Sequence, residues 1–322
     1  MIRTTSLALT IAVFTASVLI AAEKETRKFL TADSSKGRIA IIDENGKTAW
    51  EHKIGPLHDL HVLENGHLLF QTNWTHIVEL DPKTNQVVWE YEAKHSPGNE
   101  NRKIEVHAFQ RLKNGHTMIV ESGSTRILEV DTDGKIVKEV PLKVQKPHPH
   151  KDTRLVRKLE NGHYLVCHEA DGLVREYGPD GQTVWQYKVP MFGKESKGGH
   201  GLEAFGNACF SAVRLENGNT LIGTGNGHSV IEVTPEKQIV WKLTQDELPG
   251  IRLAWVTSLE VLPSGNIVIG NCHAGPENPQ IIEINRDKKV IWSFHDFDRF
   301  GNATTNTQMI NVNGEAVGET YR

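Results

Sequence analysis

Cysteine is scarce in this 322-residue chain: Cys167, Cys209 and Cys272 are the only three, and no two are adjacent. Three thiols allow at most one internal disulfide and leave one over, so disulfides do not hold the fold together. The Cys-x-x-Cys-His site of covalent haem attachment is absent, as are the Gly-x-Ser-x-Gly nucleophile elbow, the phosphate-cradling glycine loop and the dinucleotide-binding glycine fingerprint. Those absences remove the signatures of several common enzyme classes. No stretch of 18 apolar residues occurs, so no stable membrane span is expected. Neither sign of charge is in excess, with 36 Lys plus Arg against 40 Asp plus Glu and a formal net charge of −4, so no bulk affinity for nucleic acid follows. With 38% hydrophobic and 24% charged residues the composition excludes disorder, collagen and coiled coil, and a sizeable core can be buried.

The N-terminus carries Arg3, a mostly apolar stretch from Leu7 to Ile20, and Ala21-Ala22 before the charged Glu23-Lys24-Glu25. This is the pattern of a secretory signal peptide. The expected organisation is a signal peptide over residues 1–22 and one domain over 23–322, secreted or periplasmic after cleavage and monomeric.

Histidine, by contrast, is plentiful, with 16 residues, and so are repeats. A turn recurs at Asn65-Gly66, Asn114-Gly115, Asn161-Gly162, Asn217-Gly218, Ser264-Gly265 and Asn313-Gly314, at spacings of 49, 47, 56, 47 and 49 residues. A Trp follows a second polar turn at Trp50, Trp89, Trp185, Trp241 and Trp292, with Lys138 in the equivalent place of the odd repeat. Between these landmarks lie short, alternating, β-branched runs such as HIVELD, RILEVD and SVIEVT. They read as strands of about six residues. Asn-Gly between such runs predicts a two-residue hairpin with positive φ at both central positions. Each repeat is therefore a four-stranded meander, strands a to d, and radial repetition of meanders makes a β-propeller.

The two ends of the chain complement each other. Residues 27–54 supply strands b, c and d of a first blade, and Thr304 to Val312 would supply its strand a. The expected architecture is all-β: a six-bladed propeller of four-stranded antiparallel blades, its ring closed by the C-terminal strand pairing with the N-terminal blade. Closure in one shared sheet removes the open edges that such a fold must avoid. The five repeat Trp are expected to pack between blades.

The a-b and c-d turns are near-constant in length and the d-to-a connections vary, which marks the second face as the working one. Seven residues before each repeated turn, where strand a begins, stand His58, His107, Arg154, Phe210 and Thr257. These side chains, with Asn306 or Thr307 from the closing strand, are expected to ring the channel mouth. The ends of strands b add Asn73, Trp74, Glu121, His168, Glu169, Asn226, His228 and His273, and the long connections add His148, His150 and His200. Trp74 and Trp255 fall outside the repeat position and map to the same face, where an indole could stack on a sugar or an aromatic ring. Segments 94–106, 143–154 and 194–203 together carry nine positive and five negative residues, a cationic balance that suits sulfate, phosphate or carboxylate. Three His, or His with Glu169 or Asp152, could hold a divalent metal. His67, His116 and His163 follow the opposite-face turns and are read as structural.

The acidic turn residue followed by Trp, as in Asp43 to Trp50, Asp81 to Trp89 and Asp180 to Trp185, resembles the quinoprotein-like (PQQ-like) repeat superfamily. The resemblance covers the chain from its first blade to its last and implies the fold. Quinone binding is not expected, because this chain has neither a vicinal Cys pair nor an Asp that can be singled out as catalytic. His58-Asp59-Leu60 leading to Leu63-Glu64-Asn65-Gly66-His67 also resembles the bacterial arylsulfotransferase propellers. That resemblance implies His58 or His107 as a transiently sulfated nucleophile and Arg154 as the anion clamp, although the extra N-terminal domain of that family is missing here. Two classes of function stay open. The first is a binding module whose His-rich face takes a small anionic or carbohydrate ligand or a partner protein. The second is an enzyme of sulfuryl transfer or of metal-assisted lyase or hydrolase chemistry.

Overall fold

The computed structural model describes residues 25–322, so the signal segment 1–22 lies outside the described residues. Six antiparallel sheets follow one another along the chain, and five of them are four-stranded meanders. Their innermost strands are Leu60–Val62, Glu105–Arg111, Val156–Lys158, Ser211–Arg214 and Trp255–Val261. The sixth sheet joins the two ends: Thr304–Val312 is innermost and pairs with Arg27–Asp33, from Arg27 opposite Val312 to Asp33 opposite Thr304. Arg38–Ile42 and Thr48–Lys53 complete that blade. The sequence expectation of a six-bladed ring closed by its termini therefore holds. Among the described residues no helix is long and apolar enough to cross a membrane.

The closing blade has a fifth strand that the repeat does not predict, Glu315–Ala316, folded back on Thr304–Val312. Its hairpin is the one Asn-Gly turn with the expected geometry, φ being +52° at Asn313 and +82° at Gly314. At Asn65, Asn114, Asn161 and Asn217 the expectation fails, because only the following glycine takes positive φ. There the asparagine caps the turn, Oδ1 accepting the N–H two residues on, at 2.9 Å for His67, 3.1 Å for His116, 3.0 Å for His163 and 3.0 Å for Asn219. Local side-chain capping of this kind competes with the two-residue turn and makes a longer hairpin loop equally stable.

Strands b and c are buried along nearly their whole length, whereas the outermost strands alternate, as in Thr48–Lys53 and Ile136–Pro141. The apolar core thus lies between blades, each cluster drawing on two neighbouring sheets. Three repeat tryptophans tie an outer edge to the next blade by hydrogen bonds. Trp50 Nε1 donates to Asn85 Oδ1 at 2.7 Å, Trp185 Nε1 to the Pro235 carbonyl at 2.9 Å, and Trp241 Nε1 to the Arg286 carbonyl at 3.0 Å. The Arg286 guanidinium also lies over the Trp241 ring, 4.8 Å from its centroid. Trp241→Phe should keep much of the packing and lose the N–H donor, costing about 1 kcal/mol in urea denaturation.

Candidate functional site

The channel mouth is assembled from strand ends of four consecutive blades. His58 precedes one inner strand, His107 lies in the next, and Arg154 and Phe210 precede the two after that. The His107 register is set by a bulge: Val106 pairs with Glu121 and Ala108 with Val120, leaving His107 without a partner across the strand. A bulge re-aims the side chain it carries. The connection that brings His150 to the mouth is pinned by buried Asp152, whose carboxylate accepts the His148 N–H at 2.5 Å and the Gly123 N–H at 2.9 Å.

These elements stack the rings of His58, Trp74, His107, His150 and Phe210. From the His58 centroid the distances are 4.6 Å to His107, 4.9 Å to Trp74, 5.4 Å to Phe210 and 5.7 Å to His150. Trp74 lies 5.2 Å from His150. Arg154 threads beneath them, ion-paired to Glu169 and 5.4 Å over the Phe210 ring. Its Nη1 stands 3.5 Å from His58 Nδ1.

His58 and His107 are expected from sequence to ring the channel mouth, and there the structure buries both, at 6% and 0% exposure. Trp74 packs edge-to-face on both rings, at 4.9 and 6.0 Å. Burial, then the charge of Arg154 and the neighbouring imidazoles, holds His58 well below the usual imidazole range. Burial likewise pushes His107 down to about 4, against the opposing pull of Glu105. For Glu105, burial raises the carboxyl pKa, but hydrogen bonds to His107 and His150 outweigh it and hold the group low.

Glu105 is a candidate site residue that the sequence reading counted only as a charge. Its carboxylate Oε2 lies 3.2 Å from His107 Nε2 and 2.5 Å from His150 Nδ1. Strand alternation gives no signal for it, because the bulge at His107 breaks the period between Glu105 and its partner.

Across the mouth stand His200, Trp255 and His273, with ring centroids 4.7 Å apart for His200 and Trp255 and 5.0 Å for the two histidines. Burial pushes His273 down to about 4. An apolar floor of Leu155, Phe210, Trp255 and Cys272 joins the two groups.

The remaining sequence candidates stand apart from this cluster. His168 is fully buried, Nδ1 bonded to the Asp152 carbonyl at 2.7 Å and Nε2 to Tyr177 Oη at 2.8 Å. His228 directs Nδ1 to the Ala254 carbonyl at 2.7 Å and Nε2 to that of Ala204. Asn73 Oδ1 accepts from Thr75 and His76 N–H groups at 2.8 and 3.1 Å, and Asn226 Oδ1 from Ala208 N–H at 3.1 Å. These side chains hold loops. On the opposite face His67 and His163 bond Glu79 and Glu176, at 2.8 and 2.6 Å, as the structural reading of those turns requires.

Burial brings His168 down to about 4, from an ordinary 6.5. Between those values the unfolded chain binds a proton that the folded chain does not, so stability falls as pH falls through that window and is unaffected above it. The slope for one such group approaches about 1.4 kcal/mol per pH unit. Chemical denaturation of wild type and His168→Gln at pH 7, 6 and 5 should show a shallower acid loss in the variant.

Residues 35–294 match the PQQ-type repeat family model described as outer membrane protein assembly factor BamB. The chain belongs to this family. Among solved structures, this BamB-type propeller is similar to a protein of unknown function from Bacteroides caccae, with 23% identity and a TM-score of 0.72 over 88% of this chain and 98% of that one. It is also similar to a streptogramin B lyase, with 15% identity and a TM-score of 0.54 over 84% and 80% of the two chains. A catalytically inactive virginiamycin B lyase from Staphylococcus aureus, solved with quinupristin, gives 13% identity and 0.55 over 87% and 88%. These likenesses show the fold. No curated protein matches the sequence. The arylsulfotransferase resemblance rests on the sequence residues alone.

No two of the three cysteines are adjacent, so the chain has no vicinal cysteine pair on which a quinone could stack. All three cysteines are buried free thiols; Cys209 Sγ is turned to the carbonyls of His168 and Leu173, and Cys272 Sγ to that of Asn302.

Proposed function

We propose that this chain is an exported propeller that binds, in the b-c face of its channel, a small ligand carrying an anionic group beside an apolar or sugar ring. The observation that carries the reading is the convergence of His58, Trp74, His107, His150 and Phe210 around Arg154. Such a set offers ring edges and faces for stacking together with a fixed cation. Half-buried Trp74 and exposed His200 and Lys151 stand at its rim. Saturation-transfer NMR with 4-nitrophenyl sulfate, phosphate and glucuronide tests this. At least one probe should bind saturably, with an affinity about tenfold weaker in Trp74→Ala, a loss of about 1.4 kcal/mol. No saturable binding of any probe, or unchanged binding in the variant, would count against it.

Sulfuryl transfer is a second reading, favoured by one detail. His107 has Nδ1 on the Thr153 carbonyl and Nε2 on Glu105, but His58 Nε2 forms no hydrogen bond among the described residues. His58 is therefore the available nucleophile of the two. Release of 4-nitrophenolate from the sulfate ester, lost in His58→Ala, would favour transfer, and binding without release favours the module. Export is tested by fractionation, with a mature N-terminus expected at Glu23.

A further inference from the structure

We propose that Glu105, His107 and His150 form a binding site for one divalent first-row transition ion of the Zn²⁺ class, its open coordination positions facing the channel mouth. Among the described residues, these three offer donor atoms that all lie within 4.8 Å of one another. Donors bound at about 2.0–2.2 Å around a tetrahedral ion stand roughly 3.3 Å apart. The 3.2 Å between His107 Nε2 and Glu105 Oε2 is that spacing, and His150 Nδ1, at 2.5 Å from the same oxygen, need move out by less than about 1 Å. Two imidazoles and a carboxylate are the ligand type of open, three-donor sites with exchangeable positions.

The second shell is in place. His107 Nδ1 lies 2.7 Å from the Thr153 carbonyl, which orients the ring with Nε2 toward Glu105. His107 Nε2 and a buried carboxylate oxygen, 3.2 Å apart, are two donor atoms that one cation can bridge. Glu105 is 4% exposed and meets one ammonium, the exposed Lys103, whose Nζ lies 3.7 Å from Oε1. The nearby cation that would oppose a metal, Arg154, is already ion-paired to Glu169. His150 is held by the Asp152-pinned turn, its N–H bonded to His148 Nδ1 at 3.1 Å.

Metal binding goes beyond the proposed function and does not need it; the ion's role as the anchor for the ligand's anionic group rests on that reading. The test is elemental analysis and Co²⁺ absorption of the full-length mature protein, stripped with chelator, dialysed and reloaded. One ion per chain is expected, with the visible bands of low-coordinate Co²⁺. Glu105→Gln, which is nearly isosteric, and His150→Ala, in a half-buried loop, should each weaken binding more than about tenfold while keeping a native circular-dichroism spectrum. His116→Ala, on the opposite face, should bind as wild type. No saturable metal in wild type, or unchanged affinity in both ligand variants, overturns the site. A shift of the Co²⁺ bands on adding 4-nitrophenyl sulfate supports the anchoring role. Stoichiometric metal with unshifted bands, where NMR detects the probe, overturns that role and leaves the metal site standing.

Discussion

Deleting residues 303–322 is expected to unfold the whole ring, not to shorten it by one strand. The segment supplies the innermost strand of the closing blade and is paired along Arg27–Asp33. It also buries Met309 against Phe29, Leu262, Val268 and Phe294. Polar groups are lost with it: Asn306 Nδ2 donates to Asp59 Oδ1 at 3.0 Å, and Glu260 accepts the Met309 N–H at 2.8 Å. The Arg322 guanidinium reaches Gln308 Oε1 at 2.7 Å and the Leu60 carbonyl at 3.1 Å. Without the strand, Arg27–Asp33 becomes an open edge, and the closing blade and the blade that begins with Trp255–Val261 expose facing apolar surfaces. A native chain is stable by only about 5–15 kcal/mol, and the loss of one blade's inner strand exceeds that reserve. Circular dichroism in a urea titration should show one cooperative transition for wild type and none for the truncated protein. A cooperative transition of similar slope in the truncated protein would show that the ring does not depend on closure.

The second large effect is expected at Asp59. Its side chain is fully buried beside the channel and holds four blades together. Both oxygens accept from Arg157, at 2.7 and 3.0 Å, one also from the Phe109 N–H at 3.2 Å and the other from Asn306. Burial alone would raise this carboxyl, but the Arg157 charge and then His61 overcome it and hold the group far below the carboxylate range. Removing one member of such a pair strands the other charge without compensation, and Asp59→Ala should cost about 3–5 kcal/mol. Pairing Asp59→Leu with Arg157→Met should recover much of that loss, because the cost lies in the stranded charge. Urea midpoints of the two single variants and the pair measure this directly. The sign with pH follows from the depressed value. The ion pair's contribution is complete above the unfolded carboxyl's ordinary pKa near 3.8 and disappears only as pH falls through the lower folded value.

Blade count, ring closure and the role of the repeat Trp were legible because each rests on local pattern: period-two alternation, recurring turns and a landmark at fixed spacing. The turn geometry was not, since Asn65, Asn114, Asn161 and Asn217 use their side chains to cap the following N–H, and a dipeptide does not reveal which of two competing conformations wins. The site was legible in outline. His58, His107 and Arg154 do meet at the mouth, because each stands seven residues before a repeated turn, and Trp74 joins them from the end of a strand b. His168 and His228 come from the same face but turn into the protein, where carbonyl groups and the Tyr177 hydroxyl take both ring nitrogens. Whether a strand-end side chain points to the channel or into the blade depends on bulges and loop anchors such as Asp152, which have no periodic signature. Glu105 was overlooked for a related reason: His107 reaches it across a bulge, and His150 meets it only after the connection over residues 142–155 has folded back.

The central claim is that the mouth ringed by His58, Trp74, His107 and His150 is the working site. The most direct test is calorimetric titration of the best-binding nitrophenyl probe into wild type, Trp74→Ala and Tyr321→Ala, the last on the opposite face, where Tyr321 Oη donates to Glu216 at 2.5 Å beside the Asn217-Gly218 turn. The account predicts a Kd raised about tenfold in Trp74→Ala and unchanged in Tyr321→Ala. Weakened binding in Tyr321→Ala, with Trp74→Ala binding as wild type, would place the site at the other end of the channel and contradict it.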